Sequence, residues 1–204
     1  MKKWLFNPFV YIAGARALVV GCIVMLLTAV IGFYSHTHFD GVIDLHFGKV
    51  SPLSYHLLEQ LIDWACIVIV FFIAGKIFSR SSIRFVDVAG TLAFARWVLV
   101  FPTLIGFAIN APATLPHDTN EILKLVTPAM ICYGLVSLVF IIWMIALMYN
   151  AFTISCNLKG GKATGVFIAA LLAAEILSKI AIHFLYHDIP GIYEKNIIGA
   201  HLAN

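Results

Sequence analysis

Charged residues are scarce in this sequence. Only 11% of its 204 residues are Asp, Glu, Lys or Arg, against about 25% in a typical soluble domain. Long polar segments are also missing, since no polar connection between the apolar runs approaches the roughly 50 residues that a small domain needs. These two absences exclude a soluble globular protein and a sizeable soluble domain within the chain.

Recognisable catalytic signatures are missing as well. The chain has no HExxH, GxSxG or P-loop motif, so the usual hydrolase and NTPase signatures are absent. Its four cysteines show no CxxC spacing, and we predict that Cys22, Cys66 and Cys132 are small buried apolar residues rather than metal ligands or disulfide partners. Lys and Arg are spread over short loops, which argues against a nucleic-acid partner. We predict no enzyme activity, no catalytic residue and no cofactor.

Apolar residues dominate what is present: 62% of the chain is hydrophobic. Several continuous apolar runs reach the length of about 20 residues that crosses a bilayer as a helix. The sequence therefore predicts an all-α, polytopic transmembrane helical bundle with five spans, in a single membrane domain over residues 1–204. The predicted spans are residues 17–35, 61–78, 86–109, 128–152 and 163–186.

The distribution of basic residues predicts the orientation, because Lys and Arg stay on the cytoplasmic side of membrane proteins. One side would carry eight of them: Lys2, Lys3, Arg16, Lys76, Arg80, Arg84, Lys159 and Lys162. The other side would carry Lys49, Lys124 and Lys195. We predict a cytoplasmic N-terminus and an outer C-terminus, in a bacterial inner membrane. The lipid bilayer is then the first partner.

Ionisable residues interrupt the apolar runs. Glu175, Lys179 and His183 recur every four residues in the last span, which places them along one helix face. At 1.5 Å per residue, Arg96 and Glu175 both lie about 15–18 Å inside the membrane. We predict an intramembrane polar cluster of Arg96, Glu175, Lys179 and Asp63, with an Arg96–Glu175 pair and with Lys179 facing Asp63 or sharing Glu175. Two interpretations stay open: a clasp that fixes helix register, or a working site.

Histidine and aspartate are concentrated in the segments predicted to lie outside. These residues are His36, His38, Asp40, Asp44, His46, His56, His117, Asp118, His187, Asp188 and His201. Imidazole and carboxylate are common zinc ligands, which makes His36, His38, Asp40 and His46 the metal candidates. No second ligand set stands at a defined spacing, so the alternative is a polar loop whose histidines form hydrogen bonds or lie at the headgroups.

Three features together resemble the Yip family of Ypt/Rab-interacting membrane proteins. They are the five-span layout with a cytoplasmic N-terminus, Asn7-Pro8-Phe9 before the first span, and the basic glycine turn and alanine-rich last span within residues 146–179. The resemblance implies a non-enzymatic integral membrane protein. The long N-terminal region and the Asp-Leu-Tyr-Gly-Pro segment of eukaryotic relatives are missing, so no binding residue is carried over.

Two functions from different classes follow. The first is a Yip-like role in organising the membrane or binding a partner, either another membrane protein or a second copy of the chain. The alternative is a transporter or metal-handling protein that uses the outer His/Asp cluster with Glu175 and Lys179, because ionisable groups in a membrane can relay protons or ions. A membrane-embedded enzyme is a third, less supported class, since no nucleophile motif accompanies the Glu and His residues.

Overall fold

Helices account for most of the described structure, a computed structural model covering residues 2–48, 50–109 and 127–187. Their bounds are α1 Lys2–Phe6, α2 Gly14–Ser35, α3 Leu53–Phe78, α4 Phe85–Ala95, α5 Val100–Gly106, α6 Pro128–Cys156 and α7 Gly160–His187. Two 3-10 turns, Pro8–Val10 and Arg96–Leu99, complete the helical elements of this part of the chain. The predicted all-α, multi-span fold is confirmed: five helices are long and apolar enough to cross a membrane.

The bounds of the spans differ from the predicted ones mainly at the second and fourth. The second begins at Leu53, well before residue 61, because Pro52 stands directly before its first turn and the helix then continues through Glu59 and Asp63. Both acids are fully buried, so they lie inside the helical bundle rather than ahead of the span. The fourth continues to Cys156, where Asn157 adopts a left-handed conformation and ends the helix.

The third span is locally tightened near its middle. It is composed of α4, the 3-10 turn Arg96–Leu99 and α5. Pro102 lies just beyond the turn, and proline has no N–H to donate to the carbonyl four residues earlier. Short 3-10 stretches are a common response to an interrupted α-helical ladder. The tightened turn begins at Arg96, whose side chain points into the bundle and is buried.

Close contact between α2 and α4 depends on glycine. A Cβ placed on Gly21 would lie 2.6 Å from the backbone of Ala93, and one on Gly90 would lie 2.3 Å from the carbonyl oxygen of Gly14. Real Cβ atoms do not approach backbone so closely, so only glycine fits at these positions. Small residues allow membrane helices to approach in this way.

The last span carries two stripes of small residues and packs through one of them. Ala170, Ala174 and Ser178 are buried against the bundle, whereas Gly165 and Ala169 are exposed. Helix α7 packs mainly on α3, which covers a single face of it. The stripe that contains Gly165 and Ala169 therefore lies on the outward face of the helix.

Two cysteines also differ from their predicted environment. Cys66 is buried, but Cys22 and Cys132 are exposed on the outward faces of α2 and α6. A free thiol behaves as a small apolar group, so an outward position suits a helix that faces lipid. No disulfide links any of the four cysteines.

Candidate functional site

A loop, residues 36–52, folds back into one end of the bundle. It leaves α2 at His36, whose φ of 53° is left-handed and turns the chain sharply. Two short antiparallel strands follow, β1 Thr37–His38 and β2 His46–Phe47, with His38 opposite His46. Phe39 and Val42 between the strands are completely buried. We call the end of the bundle that contains this loop the loop end, and the opposite end, with the connections 79–84 and 157–159, the turn end.

Two histidines and a glutamate meet beneath the loop. His38 comes from the loop, and His56 and Glu59 come from the first turns of α3; none of the three is more than 4% exposed. Their ligand atoms all lie within 4.8 Å of one another, and the two imidazole rings have centroids 4.4 Å apart. We call these three residues the inner group.

Hydrogen bonds fix the ring orientations in the inner group. His56 Nδ1 donates to the carbonyl oxygen of Thr37 at 3.1 Å, and His38 Nδ1 donates to Glu59 Oε1 at 2.8 Å. Both Nε2 atoms then face the hydroxyl of Ser51, at 3.1 Å from His56 and 3.4 Å from His38. A backbone carbonyl or a carboxylate on the second ring nitrogen is the usual support of a histidine that binds metal.

Glu59 receives further donors from two other elements. Its Oε2 accepts the backbone N–H of Phe39 at 3.1 Å, and its Oε1 accepts the hydroxyl of Tyr186 near the end of α7. A buried carboxylate is costly unless it is paired or hydrogen-bonded. Because these donors belong to the loop and to α7, the carboxylate of Glu59 links three parts of the fold.

A second buried group surrounds Arg96. Its Nη2 is 3.1 Å from Asp63 Oδ2, its Nε donates to the side chain of Gln60 at 3.3 Å, and its Nη1 donates to the carbonyl oxygen of Val42 at 3.3 Å. The predicted pair between Arg96 and Glu175 does not form in the structure. Arg96 pairs with Asp63 instead.

The loop backbone explains this difference. Glu175 Oε2 accepts the N–H of Ile43 at 3.0 Å, and that N–H belongs to the same peptide unit as the Val42 carbonyl that faces Arg96. One peptide dipole of the loop therefore stands between the cation and the anion, with its oxygen toward Arg96 and its hydrogen toward Glu175. A sequence-based depth estimate contains no information about an inserted loop.

Lys179 lies further out, at the rim of the loop. Its ammonium is 2.5 Å from Asp44 Oδ2 and 3.6 Å from Glu175 Oε1. Of its two predicted arrangements, the structure shows the one in which Lys179 shares Glu175, together with a new partner, Asp44. The four residues of the predicted cluster thus form two neighbouring pairs that the loop separates, Arg96 with Asp63 and Lys179 with Glu175.

The four metal candidates predicted from the sequence do not form one site. His38 belongs to the inner group, whereas Asp40 and His46 join Asp44 in a second set whose ligand atoms also lie within 4.8 Å of one another. We call Asp40, Asp44 and His46 the outer group. His36 belongs to neither group. His117, Asp118, Asp188, His201 and the side chain of His187 lie outside the described residues.

Asp40 and His46 of the outer group form an ion pair that shifts the pKa of each. His46 Nδ1 is 3.3 Å from Asp40 Oδ1. This pairing holds the pKa of the Asp40 carboxyl below its ordinary value and, in turn, raises the pKa of His46 above its ordinary value. Both side chains are more than a third exposed, so water and ions reach them directly.

Sequence reasoning did not include Glu59 or His56 among the metal candidates, although His56 was counted with the outer histidines. Their spacing of three residues places both on one face of a helix, and this His-x-x-Glu pattern within the first two helical turns after Pro52 was a readable signal. Tyr186, which donates to Glu59 from 127 residues away, had no such signal, because only the packing of α7 on α3 brings it there.

Neither the protein families, nor the curated proteins, nor the solved structures that were compared with this chain contain a match to it.

Proposed function

We propose that this chain is an integral membrane protein that binds one divalent transition-metal ion of the zinc class in the inner group. The observation that supports this proposal is the meeting of two imidazoles and one carboxylate, all buried, within 4.8 Å of one another. Imidazole nitrogen and carboxylate oxygen are the ligands that zinc takes in proteins outside cysteine-rich sites. The proposal corresponds to the metal-handling alternative, and it requires no catalytic step.

The charge balance of the loop end favours a cation. Within the described part of the chain, Glu59 and Asp63 are fully buried carboxylates, and Arg96 is the one Lys or Arg side chain buried with them. Arg96 is in a salt bridge with Asp63. A metal ion beside Glu59 would supply the compensating positive charge, since buried charges are normally paired or coordinate metals.

The distances require only a small contraction. Zinc binds nitrogen and oxygen at about 2.0–2.2 Å, so donors around a tetrahedral ion are about 3.4 Å apart. Contraction from at most 4.8 Å is within the reach of side-chain rotation in His38, His56 and Glu59. Glu59 serves either as the third ligand or as the carboxylate that orients His38, and both roles need its negative charge.

The rest of the bundle favours binding over conduction. Beyond Asp63, the inward positions of α3 are apolar: Ile67 and Phe71 are fully buried, and Phe71 packs edge-on against Phe152 and Phe167. The ionisable groups thus lead from the loop surface to the middle of the bundle and meet an aromatic core there. We therefore propose a metal-binding or metal-sensing role rather than transport.

The test is zinc binding by the purified protein, measured by isothermal titration and by elemental mass spectrometry. His56→Ala and Glu59→Gln are expected to lose the tight ion, and Co²⁺ in the wild-type protein is expected to show the visible absorption of a nitrogen-ligated site. His36→Asn is the matched control, because asparagine tolerates the left-handed backbone at this position and His36 lies outside the group. Equal zinc affinity in wild type, His56→Ala and Glu59→Gln would refute the proposal.

A second candidate is the Yip-like, non-enzymatic role in which the chain associates with another membrane protein or with a second copy of itself. The observation that favours it is an outward groove between α3 and α7, bordered by Val70, Ile73, Gly165 and Ala169. A Cβ on Gly165 would meet nothing within 4 Å, and small residues of this kind let membrane helices approach closely. Gly165→Ile is expected to abolish association in lipid, as counted by single-molecule photobleaching, while Gly134→Ile leaves it unchanged.

A further inference from the structure

The outer group has the composition of a metal site, and it is open to water. Its two carboxylates and one imidazole come from Asp40, Asp44 and His46, at the surface of the loop. Between the two short strands, the Asp44 N–H donates to the Gly41 carbonyl oxygen at 3.3 Å and closes a tight turn. Asp40 directly precedes this turn, Asp44 ends it, and His46 begins β2. The ligand atoms are therefore held by one compact piece of backbone.

A cation already lies at this group. The Lys179 ammonium is 2.5 Å from Asp44 and 3.6 Å from Glu175. Two carboxylates thus share one lysine. The ammonium marks a position where a positive charge is favoured. When another cation binds Asp44, Glu175 remains as a partner for Lys179.

The outer group is adjacent to the inner group. His46 and His38 are directly opposite each other on β2 and β1, and their rings are stacked with centroids 6.0 Å apart. The inner and outer groups therefore meet through this pair of histidines. Of the two, the outer group is exposed and the inner group is buried, so an ion from solution meets the outer group first.

We propose that Asp40, Asp44 and His46 form a second divalent-metal site, which competes with Lys179 for Asp44 and loads the buried inner group. The loading step rests on the function proposed above, whereas binding at the outer group does not. An arriving hydrated ion exchanges water for the two carboxylates and the neutral imidazole of His46. The Lys179 ammonium keeps its proton and moves to Glu175. Ligand exchange then passes the ion from His46 to His38, with no change of oxidation state.

The first experiment counts zinc ions by isothermal titration of the full-length protein in detergent. Wild type is expected to bind two ions, His46→Ala only the tight one, and His56→Ala only the weak one. Lys179→Met is expected to tighten the weak site by about fivefold, the effect of removing one competing exposed ion pair. Lys162→Met is the control, because this lysine contacts the Phe78 carbonyl at the turn end.

The outcomes separate the two proposals. A single tight ion in wild type that His56→Ala removes, with no change in Lys179→Met, would overturn the outer site and leave the proposed function intact. A weak ion that His46→Ala removes, in a protein with no tight ion, would support the outer site and overturn the inner one. Loading is tested by stopped-flow zinc uptake: His46→Ala is expected to fill the inner group at least tenfold more slowly at unchanged final affinity, and an unchanged rate would overturn the loading step.

Discussion

The two ends of the bundle handle charge in opposite ways. At the loop end, Glu59, Asp63 and Arg96 are inside the protein. An inserted loop supplies partners for Glu59 and Arg96, and Arg96 in turn pairs with Asp63. At the turn end, Lys76 and Arg84 are exposed, and the core consists of aromatic and small apolar side chains. The connection at the turn end is only a few residues long and cannot fold back, so its charges extend outward while their stems stay on apolar surface.

This difference shows which interactions maintain each end. Burial of apolar surface gives little driving force between membrane helices, since lipid tails are as apolar as leucine, so packing and polar contacts must hold the bundle. The turn end relies on close packing, such as that of Gly75 against Cys156. The loop end relies on ion pairs and hydrogen bonds to a loop that has no regular core of its own. Four substitutions test the contrast.

Arg96→Met is expected to have the largest effect. It leaves the Asp63 carboxylate buried without its ion pair, and removing one partner of a buried pair costs about 3–5 kcal/mol. The free energy of unfolding, measured with denaturant in detergent, is expected to fall by that amount. Arg84→Met, which removes an exposed arginine, is the control. Replacing both partners, as in Arg96→Met with Asp63→Leu, should restore much of the lost stability. Equal stability of Arg96→Met and Arg84→Met would contradict the contrast between the two ends.

Phe71→Ala tests the turn end. Phe71 is fully buried and packs on Phe152 and Phe167, so the cavity left by its ring should cost about 3 kcal/mol. Unfolding is measured as before, with the exposed Phe184→Ala as the matched control. Because both sites are buried, added salt should change neither the loss of stability in Arg96→Met nor the loss in Phe71→Ala. The contrast also predicts that zinc binding survives in Phe71→Ala. Loss of zinc in that variant would mean that the two ends are coupled.

Gly41→Ala tests how tightly the loop is seated. A Cβ at this position would lie 2.5 Å from Glu175 Oε1, so either the carboxylate or the loop must shift. Overpacking of this kind costs about 1–3 kcal/mol. Gly134→Ala is the control, since a Cβ there meets no atom within 4 Å. Hydrogen exchange of the Ile43 amide is the direct readout, and protection equal to wild type would show that the loop tolerates the methyl group.

Glu175→Gln is expected to have the smallest effect. The amide oxygen of glutamine still accepts the Ile43 N–H. Lys179 is about half exposed and keeps Asp44 as its partner, so the loss should stay below about 1 kcal/mol. Arg96 keeps Asp63 as its partner. Glu175→Leu, which leaves the Ile43 N–H without this acceptor, should cost more, about 1–3 kcal/mol. A loss as large as that of Arg96→Met would restore the pair first expected from the sequence.

The inner group was only partly predictable. His38 was a metal candidate because histidine and aspartate are dense in its segment. Arg96 and Asp63 were both placed in the polar cluster, but depth matched Arg96 with Glu175 and Asp63 with Lys179. The choice of partner was beyond sequence reasoning, because depth orders residues along the membrane normal but does not say which helix faces which. Helix α3 packs on α4 as well as on α7, and the Val42–Ile43 peptide of the loop stands between Arg96 and Glu175. For these two reasons Asp63, not Glu175, meets Arg96.

Five helices long and apolar enough to cross a membrane were predictable from the chain's apolar runs alone, because a helix satisfies its own backbone hydrogen bonds in lipid. The need of a few ionisable side chains for partners inside the bundle was predictable in the same way. Which groups became those partners, several of them in a loop, depended on the packing of the folded chain. That outcome depends on contacts such as Gly41 against Glu175 and His38 against Glu59, which join residues far apart in the chain through the packing of separate helices.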